Sequence, residues 1–138
     1  MNPELDKKLC DKYPEIFADR HGDKMTTAMC WGFECGDGWY HLIDQLCGCL
    51  QGYTSANRVP QVVATQVKEK FGTLRFYYNG GDAMTEGMVW LAEHMSASTC
   101  EVCGSPGVLR GTCWISTRCD EHADGALPIS LENDDESY

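Results

Sequence analysis

The stretch QVVATQVKEKFGTLRFYYNGG, residues 61–81, decides the fold class. Val63, Thr65 and Val67 alternate with Ala64, Gln66 and Lys68, and Leu74, Phe76 and Tyr78 repeat that alternation beyond Glu69–Gly72. A two-residue period is that of a strand, and two such runs around a short glycine-bearing break predict an antiparallel hairpin with a tight turn. Asn79-Gly80-Gly81 then ends the second strand.

On either side the period becomes helical. Upstream, Asn2 followed by Pro3 is a cap and a first-turn proline, so Leu5 and Leu9 lie on one stripe of a short helix that ends near Tyr13-Pro14. Residues 14–36 have no clear period and read as a long ordered loop, because Ile16, Phe17, Trp31 and Phe33 would be costly to expose. A second helix begins near Asp37, with Leu42, Ile43, Leu46, Cys47 and Leu50 at spacings of three and four, and QGYTSANRVP (51–60) reads as a linker. Downstream, Asp82 caps a third helix whose apolar face would be Met84, Met88, Leu91, Ala92 and Met95. The predicted class is α+β, with helices around a small antiparallel hairpin or sheet and a zinc-binding module at the C-terminal side.

That module is CEVCGSPGVLRGTCWISTRCDEH, residues 100–122. Cys100 and Cys103 form a C-x-x-C knuckle, with Gly104 free to make the tight turn behind it. Cys119 and His122 form a C-x-x-H pair. Zinc takes four soft or borderline ligands in a tetrahedron, and two close pairs joined by a hairpin supply them. The β-prone CWIST and the glycines Gly107 and Gly111 between the pairs fit such a hairpin. A catalytic zinc keeps an open position for water, whereas here four ligands are in place, so one structural zinc is expected. Glu121 invites comparison with the zinc deaminases, but their H-x-E followed by P-C-x-x-C is absent. Cys30, Cys35, Cys49 and His21 are a weaker candidate for a second metal site, lacking any C-x-x-C pair.

The chain has 138 residues, 43% of them hydrophobic, enough for one domain with a real core. No apolar run approaches the roughly 20 residues of a membrane span. Residues 1–20 are too charged for a signal peptide, which gives a cytoplasmic expectation, and nine cysteines there point to metal or buried thiols rather than disulfides. The net charge of −10 is uneven. Beyond Arg118 lie seven acids and no Lys or Arg, while residues 1–119 hold the other 14 acids and all 11 bases. Nonspecific nucleic-acid binding needs a surplus of bases, so direct binding of nucleic acid is not expected.

WGFECGDGWYHLID (31–44) sets aromatics beside Glu34 and His41, groups able to do acid–base work in a pocket. The simpler reading puts Trp31, Phe33 and Trp39 in the core, Asp37 at a helix cap and His41 on a wet helix face. Lys68, Lys70 and Arg75 cluster about the hairpin turn, where a solvated turn competes with a phosphate or acidic partner. No nucleophile elbow or P-loop pattern is present.

Taken together, FECGDGWYHLID (33–44), QVKEKFGTLRFYY (66–78) and CEVCGSPG…CWISTRCDEHA (100–123) resemble a family of small proteins of bacteriophages, prophages and bacterial genomes. The resemblance spans roughly residues 13–123. It implies a phage or mobile-element accessory protein, acting in the host cytoplasm, and brings no activity or catalytic residue with it. Cys113 stands where the similar proteins often have glycine, which sets it outside the ligand set.

The expected organisation is an α+β body (1–99), a zinc module packed on it (100–126) and a mobile acidic tail (127–138). The expected function is non-enzymatic binding of a host protein, as an inhibitor of a defence system such as CRISPR-Cas. The alternatives are a nucleic-acid-associated zinc module and a small hydrolase using Glu34 and His41. Aromatic and arginine side chains dominate interface energies, so exposed members of Tyr53, Arg75, Tyr77 and Arg110 are the candidate contact residues. Oligomeric state is not legible in the sequence.

Overall fold

The computed structural model describes residues 1–129 and has the α+β class. Helix α1 (Pro3–Lys12) starts as its sequence dictates, the Asn2 side chain accepting the Leu5 N–H at 2.9 Å. The loop behind it is ordered by one ion pair. Arg20 donates from Nε to Asp6 at 3.0 Å and from its guanidinium tip to the Cys30 carbonyl, so the loop is latched to α1. Ile16, Phe17 and Phe33 are buried as expected, with Phe17 edge-on to Phe33 at 4.9 Å. Trp31 is not. It is 66% exposed, because a 3-10 turn over Met29–Trp31 carries its neighbour Met29 inward and turns the indole out.

Strand β1 (Phe33–Glu34) is too short to leave any alternation in the sequence, yet it runs parallel to β2 (Val63–Lys70). β2 pairs antiparallel with β3 (Thr73–Asn79), so the sheet is three-stranded and mixed rather than a simple hairpin. The turn is Phe71-Gly72, both at positive φ, as a two-residue hairpin loop requires. The expected alternation holds on β3, where Leu74 and Phe76 are buried. On β2 it breaks at Thr65, which has no partner because the register shifts between Ala64 and Gln66. This bulge moves the inward set from Ala64 to Val67.

Helix α2 (Tyr40–Asn57) follows a 3-10 turn at Asp37–Trp39 and buries Ile43, Leu46, Cys47 and Leu50. It runs through the first seven residues of the segment expected to be a linker. Nothing there breaks a helix, Thr54 is buried, and only Arg58, in the left-handed region, ends it. Helix α3 (Ala83–Ser96) opens with a capping box between Asp82 and Thr85. Its inward stripe is Thr85, Val89, Ala92 and Ser96, so of the expected face only Ala92 is buried and Met88 half-buried against the core. Met84, Leu91 and Met95 remain largely exposed.

The buried hydroxyl at the end of that stripe has a task. Ser96 Oγ accepts the Leu74 N–H at 2.8 Å and Glu93 accepts the Phe76 N–H at 2.9 Å, so α3 covers the outer rim of β3. On the opposite rim Asp6 accepts the Phe33 N–H, and the Met1 ammonium donates to the carbonyls of Phe33 and Cys35.

Strands β4 (Val108–Arg110) and β5 (Ser116–Arg118) form a second, antiparallel pair. It leans on the first hairpin, Thr117 Oγ1 donating to the Gly72 carbonyl at 2.6 Å. Gly72 sits at φ +85°, a conformation that strains any side chain, and a Cβ there would also crowd Leu109 and Ile115. The expected tail starts later than proposed. Gly111 donates to Leu127, Ile129 to Leu109, and Pro128 bridges Arg110, which adds residues 127–129 to β4. The rest of that expectation falls on residues 130–138, outside the described residues. Truncation after Ala126 is therefore expected to cost about 2 kcal/mol relative to truncation after Ile129, from two lost backbone hydrogen bonds. Chemical denaturation of the two truncated chains checks this, and equal midpoints would refute the docking of 127–129. Among the described residues no helix is long and apolar enough to cross a membrane.

Candidate metal centre

Cys100 lies just past the end of α3 and is fully buried. The chain turns at once. Gly104, at φ +81°, donates to the Cys100 carbonyl at 2.9 Å, and Cys100 donates to the Ser105 carbonyl at 2.8 Å, which closes the knuckle and brings Cys103 beside Cys100. The β4–β5 pair then returns the chain antiparallel, so that Cys119, one residue past β5, arrives next to Cys103. A 3-10 turn over Asp120–His122 folds the imidazole back over its own cysteine.

The outcome is one cluster. The ligand atoms of Cys100, Cys103, Cys119 and His122 all lie within 4.8 Å of one another. Cys103 Sγ is 3.7 Å from Cys119 Sγ, and His122 Nδ1 is 3.9 Å from Cys100 Sγ and 3.1 Å from Cys119 Sγ. Four soft or borderline donors converging without a carboxylate among them can hold a metal ion. Burial opposes ionisation of Cys100, yet backbone N–H groups around its sulfur bring the thiol down to about 6. The other buried cysteines behave oppositely. Burial pushes Cys10 and Cys35 up to about 12 and Cys47 higher still, so these stay neutral and pack as small apolar groups.

The cluster is fastened to the body by the turn that precedes α2. Gly38 donates to the Glu101 carbonyl and Gly36 to the Glu101 carboxylate, both at 2.8 Å, while the indole N–H of the buried Trp39 donates to the Thr99 carbonyl at 2.8 Å. The approach is close enough that a Cβ on Gly38 would lie 2.2 Å from the Cys100 carbonyl oxygen. In the sequence Gly36 closed the expected loop and Asp37 opened the expected helix, so the tight Gly36-Asp37-Gly38 turn was not legible. Nothing local says that another segment needs the missing side chains.

Other candidate residues scatter. Among the described residues Cys30, Cys35, Cys49 and His21 are not gathered into a metal-binding group. Glu34 sits on the sheet and accepts from Gln66, whereas His41 lines a separate groove with Asp37, Leu42 and Met95 in which Glu34 has no part. The structure thus does not set the two in a common pocket. Arg110 is not a surface contact residue. Only 6% of it is exposed, and its guanidinium is spent on the carbonyls of Arg118 and Ala126 and on Asp120, closing the module from within. Tyr53 lies on α2, half-buried, and donates to Asp82 at the start of α3.

Arg75 and Tyr77 do share the open face of the sheet, where cross-strand pairing sets them opposite Lys68 and Gln66. Sequence reasoning missed Trp90, which adjoins Arg75. It is 69% exposed, stacks on His94, and lines one groove with Thr73 and Arg75. Its signal was present in the helical period, which sets Trp90 off the inward stripe. No family model, curated protein or solved structure matches the chain.

Proposed function

We propose that the cluster holds one zinc in a structural role, and that the chain is a non-enzymatic protein that acts by binding another protein. The donor set supports zinc. Zinc–sulfur bonds of about 2.3 Å give S···S tetrahedral edges of about 3.8 Å, close to the 3.7 Å between the sulfurs of Cys103 and Cys119. Cys100, Cys103, Cys119 and His122 would fill all four positions, leaving none for a substrate, so the metal's contribution is folding energy.

The observation that carries the binding reading is the placement of tryptophan. Three of the four, Trp31, Trp90 and Trp114, are 66%, 69% and 80% exposed. Leaving a large aromatic in water forgoes burial energy in the isolated chain, and tryptophan, tyrosine and arginine are the residues that dominate protein interfaces. Trp90 beside Arg75, with Tyr77 on the same sheet face as Arg75, is such a set. The partner is a host protein, and inhibition of a defence system such as CRISPR-Cas is the role supported by the resemblance to phage and prophage proteins.

Affinity capture from host lysate, with variants compared, tests this. Arg75→Ala, Tyr77→Ala and Trp90→Ala combined is expected to lower capture of a specific partner by roughly 100-fold with an unchanged melting temperature. Glu34→Gln and His41→Ala are expected to leave capture intact. Capture retained in the triple variant would refute the surface, and activity lost only with Glu34 or His41 would favour a hydrolase. One observation favours a nucleic-acid reading as second, namely that Lys68, Lys70 and Arg75 share that open face with Tyr77. Binding to nucleic acid that falls steeply with salt and disappears in Lys68→Ala with Lys70→Ala would support it instead.

A further inference from the structure

Helices α2 and α3 run antiparallel, held at one end by Tyr53 on Asp82 and at the other by Trp39 on Thr99. Between them lies an open groove of about 170 Å³ whose walls are almost wholly apolar. Its floor is the buried pair Leu46 and Ala92, and its banks are Leu42, Cys49, Met88, Leu91 and Met95. Leu91 and Met95 stay 54% and 46% exposed. The groove continues past Leu42 and Met95 into the depression lined by Asp37, His41 and Gly104. From Gly38 to Cys49 the trough follows about three helical turns, or about 16 Å.

The charge around this trough decides what it fits. α2 contains no Lys or Arg, and neither does any residue from 76 to 109. Asp37 stands at one end and Asp82 at the other, and residues 37–57 and 82–99 together hold five acids and no Lys or Arg. A second copy would bring two such cation-free faces together, which like charge opposes. A bare apolar helix would leave the acids unanswered. Flexible methionines on the banks suit an incoming helix, since they repack around different side chains.

We propose that the trough between α2 and α3 receives an amphipathic helix of a partner protein, apolar on the entering face and basic along its flanks. About three turns seat anchors at i, i+3 or i+4, and i+7, over the Leu46–Ala92 floor. This surface is distinct from the open sheet face, so the two readings stand or fall separately.

Calorimetric titration of the metal-loaded full chain with three synthetic peptides of roughly 18 residues provides the test. One carries leucines at helical spacing with lysines elsewhere, one keeps the leucines but carries glutamates, and one scrambles the leucine–lysine order. The first is expected to bind at micromolar concentration and the other two at least roughly tenfold more weakly. Leu91→Glu is expected to weaken the first by roughly tenfold or more, with metal content and melting temperature unchanged because the residue is half in water. Equal binding of the scrambled peptide, no binding of the first, or indifference to Leu91→Glu would each overturn the proposal. So would a concentration-dependent dimer in sedimentation that Leu91→Glu abolishes, since a second copy would then own the trough.

Discussion

Replacing Cys100 by serine is expected to empty the metal site and lower the melting temperature by more than roughly 10 °C. The site has no preformed existence in an unfolded chain, so metal binding energy is folding energy, on the order of 10 kcal/mol in small zinc modules. Cys100 is the most buried ligand, and the backbone on either side of it carries the contacts of Thr99 and Glu101 to the body. Serine keeps the shape but supplies a poor donor. His122→Ala removes the fourth ligand and is expected to act in the same direction. Cys113→Ser is the control. That thiol is exposed and lies outside the cluster, so metal content and melting should match the parent chain. Native mass spectrometry checks stoichiometry, with one zinc per chain expected. Full occupancy and unchanged melting in Cys100→Ser would refute the ligand assignment.

The second large effect needs no ligand to change. Gly38→Ala places a methyl group 2.2 Å from the Cys100 carbonyl oxygen and nearly as close to the backbone of Glu101. These neighbours are backbone and cannot swing aside. The Gly38–Glu101 and Trp39–Thr99 hydrogen bonds must lengthen together, for an expected loss of about 3 kcal/mol or more. Because the same segment carries Cys100, the variant is also expected to bind metal more weakly, which competition with a chromogenic chelator measures. Gly52→Ala and Gly87→Ala form the contrast. Both are helical, and a Cβ on either meets nothing within 4 Å, so each is expected to stabilise by about 0.5–1 kcal/mol. A Gly38→Ala chain that melts with the parent would mean that the module does not depend on its seat.

The metal centre was legible because its information is local. Two pairs at fixed short spacing, each with its own turn, define four donors whatever the rest of the chain does. The hairpin was legible for the same reason, up to Thr65, where a bulge set by pairing across the sheet changes the count. Helix α3 was misread for a physical cause. Counting hydrophobic residues selects Met84, Leu91 and Met95, but the inward stripe includes Thr85 and Ser96, whose hydroxyls are used by a cap and by the Leu74 amide. Polar residues that serve a buried amide look like surface when no partner is known. Arg110 misled in the opposite sense. Its partners are two carbonyls and Asp120, and no local pattern announces carbonyls as partners.

The covering of both rims of the main sheet has a consequence for how this protein meets others. Strand addition, in which an extended peptide extends a ladder, needs a run of free amides and carbonyls. Along β3 the Leu74 and Phe76 amides already belong to Ser96 and Glu93, and along β1 the Phe33 amide belongs to Asp6. The folded chain is thereby guarded against edge-to-edge aggregation. Any partner that meets this sheet would have to be read through side chains, so a point substitution on it could abolish or switch recognition, as it rarely does for ladders read through the backbone.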